Sequence, residues 1–259
     1  MLLCLLLAAL LWPGRTNILL LGVDSREPGS NLGRTDTMIL ATFQPLQPYV
    51  GMLAIPRDLW VTLSDGSQDR INTAHFYAEA QTPGAGPAAA MDAVRQNFGV
   101  DVDYYVRIRF DGLVSLVDAL GGVEVTLPSA MSGYTAGTHH LNGTQALALV
   151  RDRANSDDLY RNARGQIFIK ALLAEVLRAG SWGQLPAALE LLPLVLDTDI
   201  PPTQWPRLAI ALLRTGAEGI DGRAFSHEMV APFTTEGGAA VLAPNWELIN
   251  PVLLEMFGQ

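Results

Sequence analysis

The stretch NILLLGVDSREPGSNLGRTDTMILATF, residues 17–43, decides the fold. It contains two short, almost continuous apolar runs, at 17–23 and 37–43, and a third run, VGMLAI, follows at 50–55. Runs of this length, bounded by glycine, proline, aspartate and serine, are typical of buried strands. The stretch therefore predicts the centre of a sheet, with a polar loop at the end of each strand.

Predicted helices alternate with these strands along the chain. GPAAAMDAVRQNFG at 86–99 predicts a helix closed by its last glycine, and DYYVRIRF at 103–110 alternates like a strand. A long helix is predicted from Asp157 or Asp158 to Gly180, and further leucine-rich helices follow it. Alternation of strands and helices predicts an α/β fold with helices on both faces of the sheet.

Residues 1–14 precede this fold as an apolar leader, and residues 15–259 show no repeat or linker that would divide them, so we predict one domain there. The apolar run of the leader is closed by Pro13 and Gly14 and is shorter than the roughly 20 residues that cross a bilayer. Two interpretations stay open: the end of an N-terminal membrane anchor or signal, or a buried first element. The first would place the domain outside the cytoplasmic membrane, and the lack of cysteine after Cys4 fits export.

Composition excludes several classes of function. The formal net charge is −9, whereas a nucleic-acid backbone needs a broad basic surface, so we expect no nucleic-acid partner. The chain contains no GxxxxGK[ST], HExxH or GxSxG motif. Hydrolysis by a serine nucleophile or by zinc therefore has no support. A small anionic ligand held by a few arginines remains compatible with the charge.

Charged residues cluster where the three predicted strands meet their loops. Each strand end carries one aspartate and one arginine: Asp24 and Arg26, Arg34 and Asp36, and Arg57 and Asp58. If the strands are neighbours, these ends meet at one rim. Carboxylates beside phosphate-binding arginines suit Mg²⁺, because it binds few protein oxygens and completes its octahedron with water and phosphate. Surface ion pairing would explain any single pair, but three strand ends of this kind favour a site for a metal and an anion.

A second cluster of arginines, VRDRANSDDLYRNARGQ at 150–166, surrounds the predicted start of the long helix. Arg161 and Arg164 lie three apart in its first two turns, where the helix dipole already supplies positive charge. Arginines there are mildly unfavourable unless an anion binds. With Arg151 and Arg153 arriving from the preceding segment, we predict a phosphate-binding cradle. The alternative is a solvated helix start in which an aspartate pairs with Arg161.

Six motifs resemble, in order and approximate spacing, those of the LytR-CpsA-Psr family: LLLGVDSR, GRTDTMIL, IPRD, VDALGGVEV, HHLNGTQALALVRDR and DLYRNARGQ. The resemblance runs from about residue 17 to about residue 180. It implies a three-layer α/β/α sandwich with a central mixed sheet and a hydrophobic tunnel for a polyprenyl chain. It also implies a membrane-anchored, extracytoplasmic phosphotransferase that moves a glycopolymer from a polyprenyl pyrophosphate carrier onto peptidoglycan.

The resemblance also implies roles for individual residues. Asp24 and Asp36 resemble the metal-binding aspartates of the family. The arginines that grip the pyrophosphate are matched by Arg57, Arg153 and Arg161. Further motif positions with a part in substrate binding or catalysis are Arg26, Arg34, Arg151, Asp158, Arg164 and Gln166. Gly165 and Thr35 depart from the usual glutamine and serine of the family, and neither departure removes a charged group.

These roles imply a mechanism without a covalent intermediate. Mg²⁺ and the guanidiniums neutralise the pyrophosphate, an acceptor sugar hydroxyl attacks the phosphorus nearer the glycan, and polyprenyl phosphate leaves as a phosphodiester forms. Asp58 or Asp158 could act as general base, and the sequence gives no distance by which to choose. Two other functions stay open: a non-catalytic or regulatory binder of polyprenyl pyrophosphate lipids, and a lipid pyrophosphatase that delivers water.

Overall fold

The computed structural model describes residues 14–25, 29–152 and 158–258, with the side chains of residues 111, 158–163 and 179 outside the described part. Its strands are β1 (Thr16–Val23), β2 (Thr35–Gln44), β3 (Tyr49–Ile55), β4 (Trp60–Thr62), β5 (Gln68–Arg70), β6 (Tyr104–Arg109), β7 (Val123–Leu127), β8 (Gly137–Leu141), β9 (Leu196–Thr198), β10 (Asp221–Ala224), β11 (Val230–Thr234) and β12 (Ala240–Pro244). Its helices are α1 (Thr73–Gln81), α2 (Gly86–Phe98), α3 (Phe110–Ala119), α4 (Gly143–Arg151), α5 (Asp158–Leu177), α6 (Leu185–Val195), α7 (Trp205–Thr215) and α8 (Trp246–Phe257).

Six strands form one mixed sheet in the order β10–β3–β2–β1–β6–β9. Strand β1 is antiparallel to β2 and parallel to β6, while β3 is antiparallel to β2 and parallel to β10. The three apolar runs predicted as strands lie side by side at the centre of this sheet. Their continuous apolar character follows from their burial on both faces.

Helices cover both faces of the sheet, which confirms the predicted α/β/α sandwich. Because side chains alternate along a strand, Leu19 and Leu21 of β1 pack toward α1, α2 and α8. Ile18 and Leu20 point the other way, toward α5 and α7, and α3, α4 and α6 complete that side. We call the side with α1, α2 and α8 the first face, and the side with α3–α7 the second face.

Local sequence signals account for the ends of several helices. Asn142 caps α4 in a capping box: its side chain accepts from the N–H of Gln145, whose side chain accepts from the N–H of Asn142. Gly99 ends α2 in the left-handed conformation, with φ 67°, as the sequence predicts. Helix α5 begins at Asp158, one of its two predicted starts, and ends at Leu177, earlier than predicted.

The small β11–β12 sheet is attached to the loop that follows β3. Leu242 of β12 forms a parallel bridge with Leu59, and its N–H donates to the carbonyl oxygen of Asp58 at 3.0 Å. On the next strand pair, β4–β5, Arg70 Nη2 donates to the carbonyl oxygen of Ala240 at 2.9 Å. The hairpin is therefore fixed relative to the end of β3.

Most of the predicted leader, residues 1–13, lies outside the described residues. Both interpretations of the leader, and the boundary that separates it from the domain, therefore stay predictions. In the part of the chain that the structure describes, each helix is too short or too polar to serve as a membrane span.

Candidate active site

The rim predicted from the strand ends lies where β1 and β3 end and β2 begins. Gly22 of β1 pairs with Thr37 of β2, but Val23 pairs with Thr35, so Asp36 has no residue opposite it. Such a β-bulge redirects a side chain and is common beside functional sites. An irregularity in the pairing of β1 and β2 therefore sets the position of Asp36 at the rim.

Two ion pairs line a cavity at this rim. Arg57 Nη1 lies 2.5 Å from Asp36 Oδ1, and Arg151 Nη2 lies 2.5 Å from Asp24 Oδ1. The residues that line the cavity are Asp24, Asp36, Thr37, Arg57, Phe110, Val150 and Arg151. The cavity volume is about 210 Å³, and one water occupies about 30 Å³ in the liquid. A small anionic group with its ions fits such a space.

Arg57 makes a second acidic contact on the outer side of the cavity. Its Nε lies 3.2 Å from Asp58 Oδ2, and Asp58 Oδ1 lies 3.0 Å from Arg70 Nε. The planar guanidinium of Arg57 is therefore held by carboxylates at two of its edges. A guanidinium fixed in this way presents its donors to an anion with little reorganisation.

An apolar cavity adjoins the rim on the second face. Thr37, Phe110 and Val150 line both cavities, and the other walls are side chains of β1, β2, β6, α3 and α5. The volume of the apolar cavity is about 30 Å³, the space of about one water. The polyprenyl tunnel implied by the resemblance stays a prediction.

Two glycines let helices approach the central strands closely at this point. A Cβ atom at Gly22 would lie 2.9 Å from the ring of Phe110, and one at Gly165 would lie 2.7 Å from Thr37 Cγ2. Gly165, which stands where glutamine is usual, thus lets α5 rest directly on β2. Because Gly165 is also a wall of the apolar cavity, this close contact keeps the cavity small.

A buried network of charged side chains supports the loop that leads to Asp36. His75 Nδ1 donates to the carbonyl oxygen of Gly33 at 3.1 Å, and His75 Nε2 accepts from Arg107 Nη1 at 3.2 Å. Arg107 Nη1 also lies 2.9 Å from Glu79 Oε2. Because His75, Glu79 and Arg107 are buried, they hold Gly33 in place three residues before Asp36.

Burial sets the charge states in this network. Desolvation, assisted by the positive charge of Arg107, lowers the pKa of His75 to about 4. Desolvation raises the pKa of Glu79, but hydrogen bonds from the N–H groups of Gly84 and Gly86 and the charge of Arg107 together lower it below its usual value. Near neutral pH the network therefore contains a neutral imidazole and an ionised carboxylate.

The structure brings together four of the predicted site residues and separates others from them. Asp24, Asp36, Arg57 and Arg151 meet at the rim cavity. Arg34 is exposed on the loop before β2 and does not line that cavity. Proximity to the rim is therefore established for the first four, while their chemical roles stay predictions.

Arg164 and Gln166 do not line the rim cavity, and their part in substrate binding stays a prediction. Gln166 Nε2 donates to the carbonyl oxygens of Met52 at 2.6 Å and Arg223 at 2.9 Å, so this side chain joins α5 to β3 and β10. Arg164 is buried, and its Nη1 donates to the carbonyl oxygen of Asp152 at 2.6 Å. These hydrogen bonds hold α5 against its neighbours, and Arg164 also lines another cavity together with Asp152.

Other predicted residues fall outside the described part of the structure. Arg26 and Arg153 lie outside the described residues, as do the side chains of Asp158 and Arg161. Since α5 begins at Asp158, Arg161 falls in its first turn, as the sequence predicts. The roles of Arg26, Arg153 and Arg161 in binding phosphate, and of Asp158 as a candidate general base, stay predictions.

Sequence reasoning missed the residues that shape and support the site. Thr37, Phe110 and Val150 line both cavities, but they carry no charge. Thr37 and Val150 lie within two of the six motifs, yet nothing in a motif marks an uncharged residue as a cavity wall. Arg107 did offer a signal, because it interrupts an apolar, alternating strand. A charge on a buried face requires a partner, and that requirement pointed to a buried acid such as Glu79.

Asp24 and Asp36 fit the ligand chemistry of Mg²⁺. They place two carboxylates around one cavity that also has room for water. Among the described residues, no group of three or more His, Cys, Asp or Glu side chains could hold a metal ion. Mg²⁺ at this position would therefore need water and substrate oxygens as further ligands, which matches its preference for one or two carboxylates plus phosphate.

Comparison with known proteins gives a family match over most of the chain. The LytR_cpsA_psr family model matches residues 13–242. One relative is the polyisoprenyl-teichoic acid–peptidoglycan teichoic acid transferase TagU of Oceanobacillus iheyensis, which is 36% identical over 190 residues, or 71% of this chain and 58% of TagU. The chain therefore spans less than two thirds of the length of that relative.

Solved structures share the fold along nearly the whole chain. The crystal structure of B. subtilis TagV has a TM-score of 0.74 and 25% identity, covering 95% of this chain and 98% of that one. The structure of TagT bound to LIIa-WTA has a TM-score of 0.72 and 23% identity, covering 95% of this chain and 91% of that one. Both likenesses support the mixed sheet between two layers of helices.

Proposed function

This chain belongs to the LytR_cpsA_psr family, and on that premise we propose that it is a transferase that attaches a glycopolymer to peptidoglycan during cell-wall assembly. The donor is a glycan linked to a polyprenyl pyrophosphate, and the acceptor is a sugar hydroxyl of peptidoglycan. TagU, its relative, is named as a transferase of teichoic acid from a polyisoprenyl carrier to peptidoglycan.

One observation carries the proposal: a cavity with two carboxylates and two guanidiniums shares walls with an apolar cavity. Asp24, Asp36, Arg57 and Arg151 come from separate parts of the chain, yet all line the same cavity. The shared walls join this charged space to apolar side chains. A lipid-linked pyrophosphate has the same arrangement of a charged part beside an apolar part, since its doubly phosphorylated headgroup is followed directly by a hydrocarbon chain.

The reaction is a displacement at the phosphorus nearer the glycan. A bond forms between that phosphorus and the acceptor oxygen, the bridging bond to polyprenyl phosphate breaks, and polyprenyl phosphate leaves with the electron pair. Arg57 and Arg151 stabilise the negative charge that spreads over the phosphoryl oxygens, because their guanidiniums are already fixed at the rim. Asp58, at the outer edge of the rim, accepts the proton of the hydroxyl.

Asp24 and Asp36 hold Mg²⁺ in this proposal. When bound, the ion neutralises pyrophosphate oxygens and lowers their repulsion of the incoming hydroxyl. The ion pairs of these aspartates with Arg151 and Arg57 keep the four side chains together before substrate arrives. We place the reaction at the extracytoplasmic face of the membrane, with the chain membrane-associated and anchored by its N-terminal segment.

Replacement of Arg57 tests the proposal directly. Purified protein is incubated with lipid-linked glycan, Mg²⁺ and peptidoglycan, and three products are followed: polymer on peptidoglycan, released glycan phosphate, and lipid bound without turnover. We expect transfer by the natural chain and a roughly 10²- to 10³-fold loss of kcat in Arg57→Ala, typical for a donor that stabilises transition-state charge.

The control is Arg95→Ala, which removes a half-buried arginine of α2 that pairs with Asp92 and donates to the carbonyl oxygen of Val102 and leaves the rim intact. Its rate, measured at a temperature at which it is folded, should match that of the natural chain. Release of glycan phosphate without transfer would instead identify a lipid pyrophosphatase, and tight binding without turnover would identify a lipid-binding protein. Transfer that stays constant when Mg²⁺ is chelated would contradict the metal part of the proposal.

A further inference from the structure

A second groove opens on the outer side of the rim, between the end of β3 and the β11–β12 hairpin. Its walls are Asp58, Pro232, Phe233, Thr234 and residues 240–242, and its volume is about 300 Å³. We call it the hairpin groove. Asp58 connects the groove to the rim cavity. Its Oδ2 lies 3.2 Å from Nε of Arg57, which lines the rim cavity.

The groove is a built feature and not a loose surface cleft. The N–H of Leu242 donates to the carbonyl oxygen of Asp58 at 3.0 Å, and Arg70 Nη2 donates to that of Ala240 at 2.9 Å. Arg70 also pairs with the Asp58 carboxylate. The hairpin wall and the charged wall are thus fixed relative to each other and to the rim.

The chemistry of the walls suits an uncharged sugar. Phe233 is 39% exposed, and its ring is supported edge-on by Trp60, with ring centres 6.1 Å apart. An exposed aromatic ring packs against the C–H face of a pyranose, while a carboxylate such as Asp58 and a hydroxyl such as Thr234 accept hydrogen bonds from sugar hydroxyls. Asp58 is the one charged lining residue of this groove in the described structure, and the neighbouring guanidinium of Arg70 is already paired with the Asp58 carboxylate and a backbone carbonyl oxygen of the hairpin.

Position distinguishes the acceptor from the donor. The apolar cavity lies on the second face, among side chains such as Ile39 and Ile108. The hairpin groove lies at the edge of the first face, where Leu59 and Leu242 pack with the core of that side. A displacement at phosphorus places the attacking and leaving oxygens roughly in line. If the lipid leaves toward the second face, the nucleophile arrives from the side of the groove.

We propose that the hairpin groove binds the acceptor sugar of the peptidoglycan chain and directs its hydroxyl past Asp58 to the rim. This proposal rests on the transferase function proposed above, and it assigns Phe233 as a specificity-determining residue for the acceptor. The donor lipid does not touch Phe233, so the two substrates respond separately to changes in the groove.

The test is a steady-state comparison of Phe233→Ala with the natural chain, using lipid-linked glycan as donor and uncrosslinked peptidoglycan glycan strands as acceptor. We expect about a tenfold higher KM for the acceptor, the size of effect expected for one lost aromatic contact. The KM for the donor should stay within about twofold, and Phe233→Tyr, which keeps the ring, should behave like the natural chain. The matched control is Leu213→Ala, an exposed apolar residue of α7 on the other face.

An unchanged acceptor KM in Phe233→Ala would overturn the proposal, and so would a donor KM that rises as much as the acceptor KM. Binding of a β-1,4-linked N-acetylglucosamine hexamer, followed by calorimetry without donor, separates this proposal from the proposed function. Hexamer binding that is weakened by Phe233→Ala supports a sugar groove even if the chain transfers nothing. The remaining outcome is that the natural chain transfers glycan while Phe233→Ala binds the hexamer as tightly as the natural chain does. That result would refute acceptor binding in the hairpin groove and leave the transferase proposal in place.

Discussion

The two faces of the central sheet are packed in different ways. On the first face, one continuous apolar core joins the sheet to α1, α2 and α8. On the second face, the buried apolar residues of the described structure fall into three separate clusters, and the small apolar cavity lies between them. The first face therefore has the more continuous packing, and the second is the side on which the proposed function places the lipid.

Helix α6 shows the same difference at the surface of the second face. It is rich in leucine, yet its buried residues are Ala188 and Val195. Leu189 and Leu194 are 59% and 63% exposed. Leu185 and Leu192 pack against the core only in part, so this helix contributes less to a solid core than its leucine content would allow.

The largest effect that we expect comes from the charged network embedded in the first face. Glu79→Ala removes the acceptor for the N–H groups of Gly84 and Gly86 and leaves Arg107 without one of its buried partners. Breaking a buried pair by removing one side costs about 3–5 kcal/mol, because the remaining charge is desolvated. Arg107 keeps its pair with Asp197, whose Oδ2 lies 2.5 Å from Arg107 Nη2, so we expect a loss near the lower end of this range. Chemical denaturation should show this loss in the free energy of unfolding.

Glu190→Ala is the matched control, since Glu190 is an exposed glutamate on α6 of the second face. Its free energy of unfolding should change by less than about 0.5 kcal/mol. A loss below about 1 kcal/mol in Glu79→Ala would show that the first face relaxes around Arg107, and the contrast between the two faces would then be wrong.

The next effect is a pH dependence that originates in the same network. The pKa of His75 is about 4 in the folded chain, from burial and the charge of Arg107, and 6.5 is its ordinary value. The unfolded chain therefore binds a proton between these values while the folded chain does not, so stability falls as pH falls from 6.5 toward 4. Between pH 7 and pH 5 this amounts to about 2 kcal/mol.

His75→Gln should remove this part of the pH dependence, even though it also lowers stability at pH 7. His140→Gln, a change at an exposed histidine of β8, should leave the dependence as it is in the natural chain. Free energies of unfolding at pH 7 and pH 5 give the comparison. If the free energy of unfolding changed equally with pH in the natural chain and in His75→Gln, His75 would have to be protonated in the folded state. A protonated His75 could not accept the hydrogen bond from Arg107.

The sequence predicted the parts of the site that follow from strand ends. The three apolar runs are neighbours in the sheet, so Asp24, Asp36 and Arg57 had to meet at one edge. The pairing that leaves Asp36 in a bulge was not predictable, because a bulge depends on the register of two strands and not on the residues of one.

The sequence could not settle the contacts that depend on the direction of a side chain between the sheet and the helices. Arg164 and Gln166 occupy motif positions, but a motif does not show whether a side chain faces a cavity or the sheet. The contacts of His75 with Gly33 and of Arg107 with Glu79 join distant parts of the chain. No local spacing signals such a network, apart from the charge of Arg107 within an apolar strand.

The smallest effect that we expect is on stability, when one methyl group is removed by an Ile→Val change on each face of the sheet. Ile55 and Ile39 are both fully buried strand residues, but Ile55 belongs to the continuous core and Ile39 borders the apolar cavity. A buried Ile→Val change costs about 0.5–1.5 kcal/mol. We expect the loss of unfolding free energy to lie near the upper end of this range for Ile55→Val and near the lower end for Ile39→Val, because a methyl group beside a void has fewer neighbours to lose.

Binding of farnesyl pyrophosphate, followed by calorimetry with Mg²⁺, extends this comparison to function. If the second face admits the lipid, Ile39→Val enlarges the space for the prenyl chain and tightens binding by a few-fold, while Ile55→Val leaves the affinity unchanged. Equal losses of stability in the two variants, with no difference in affinity, would mean that both faces are equally solid. The lipid would then have to bind elsewhere, and the shared walls at Thr37, Phe110 and Val150 would no longer support the order of headgroup and chain on which the proposed function depends.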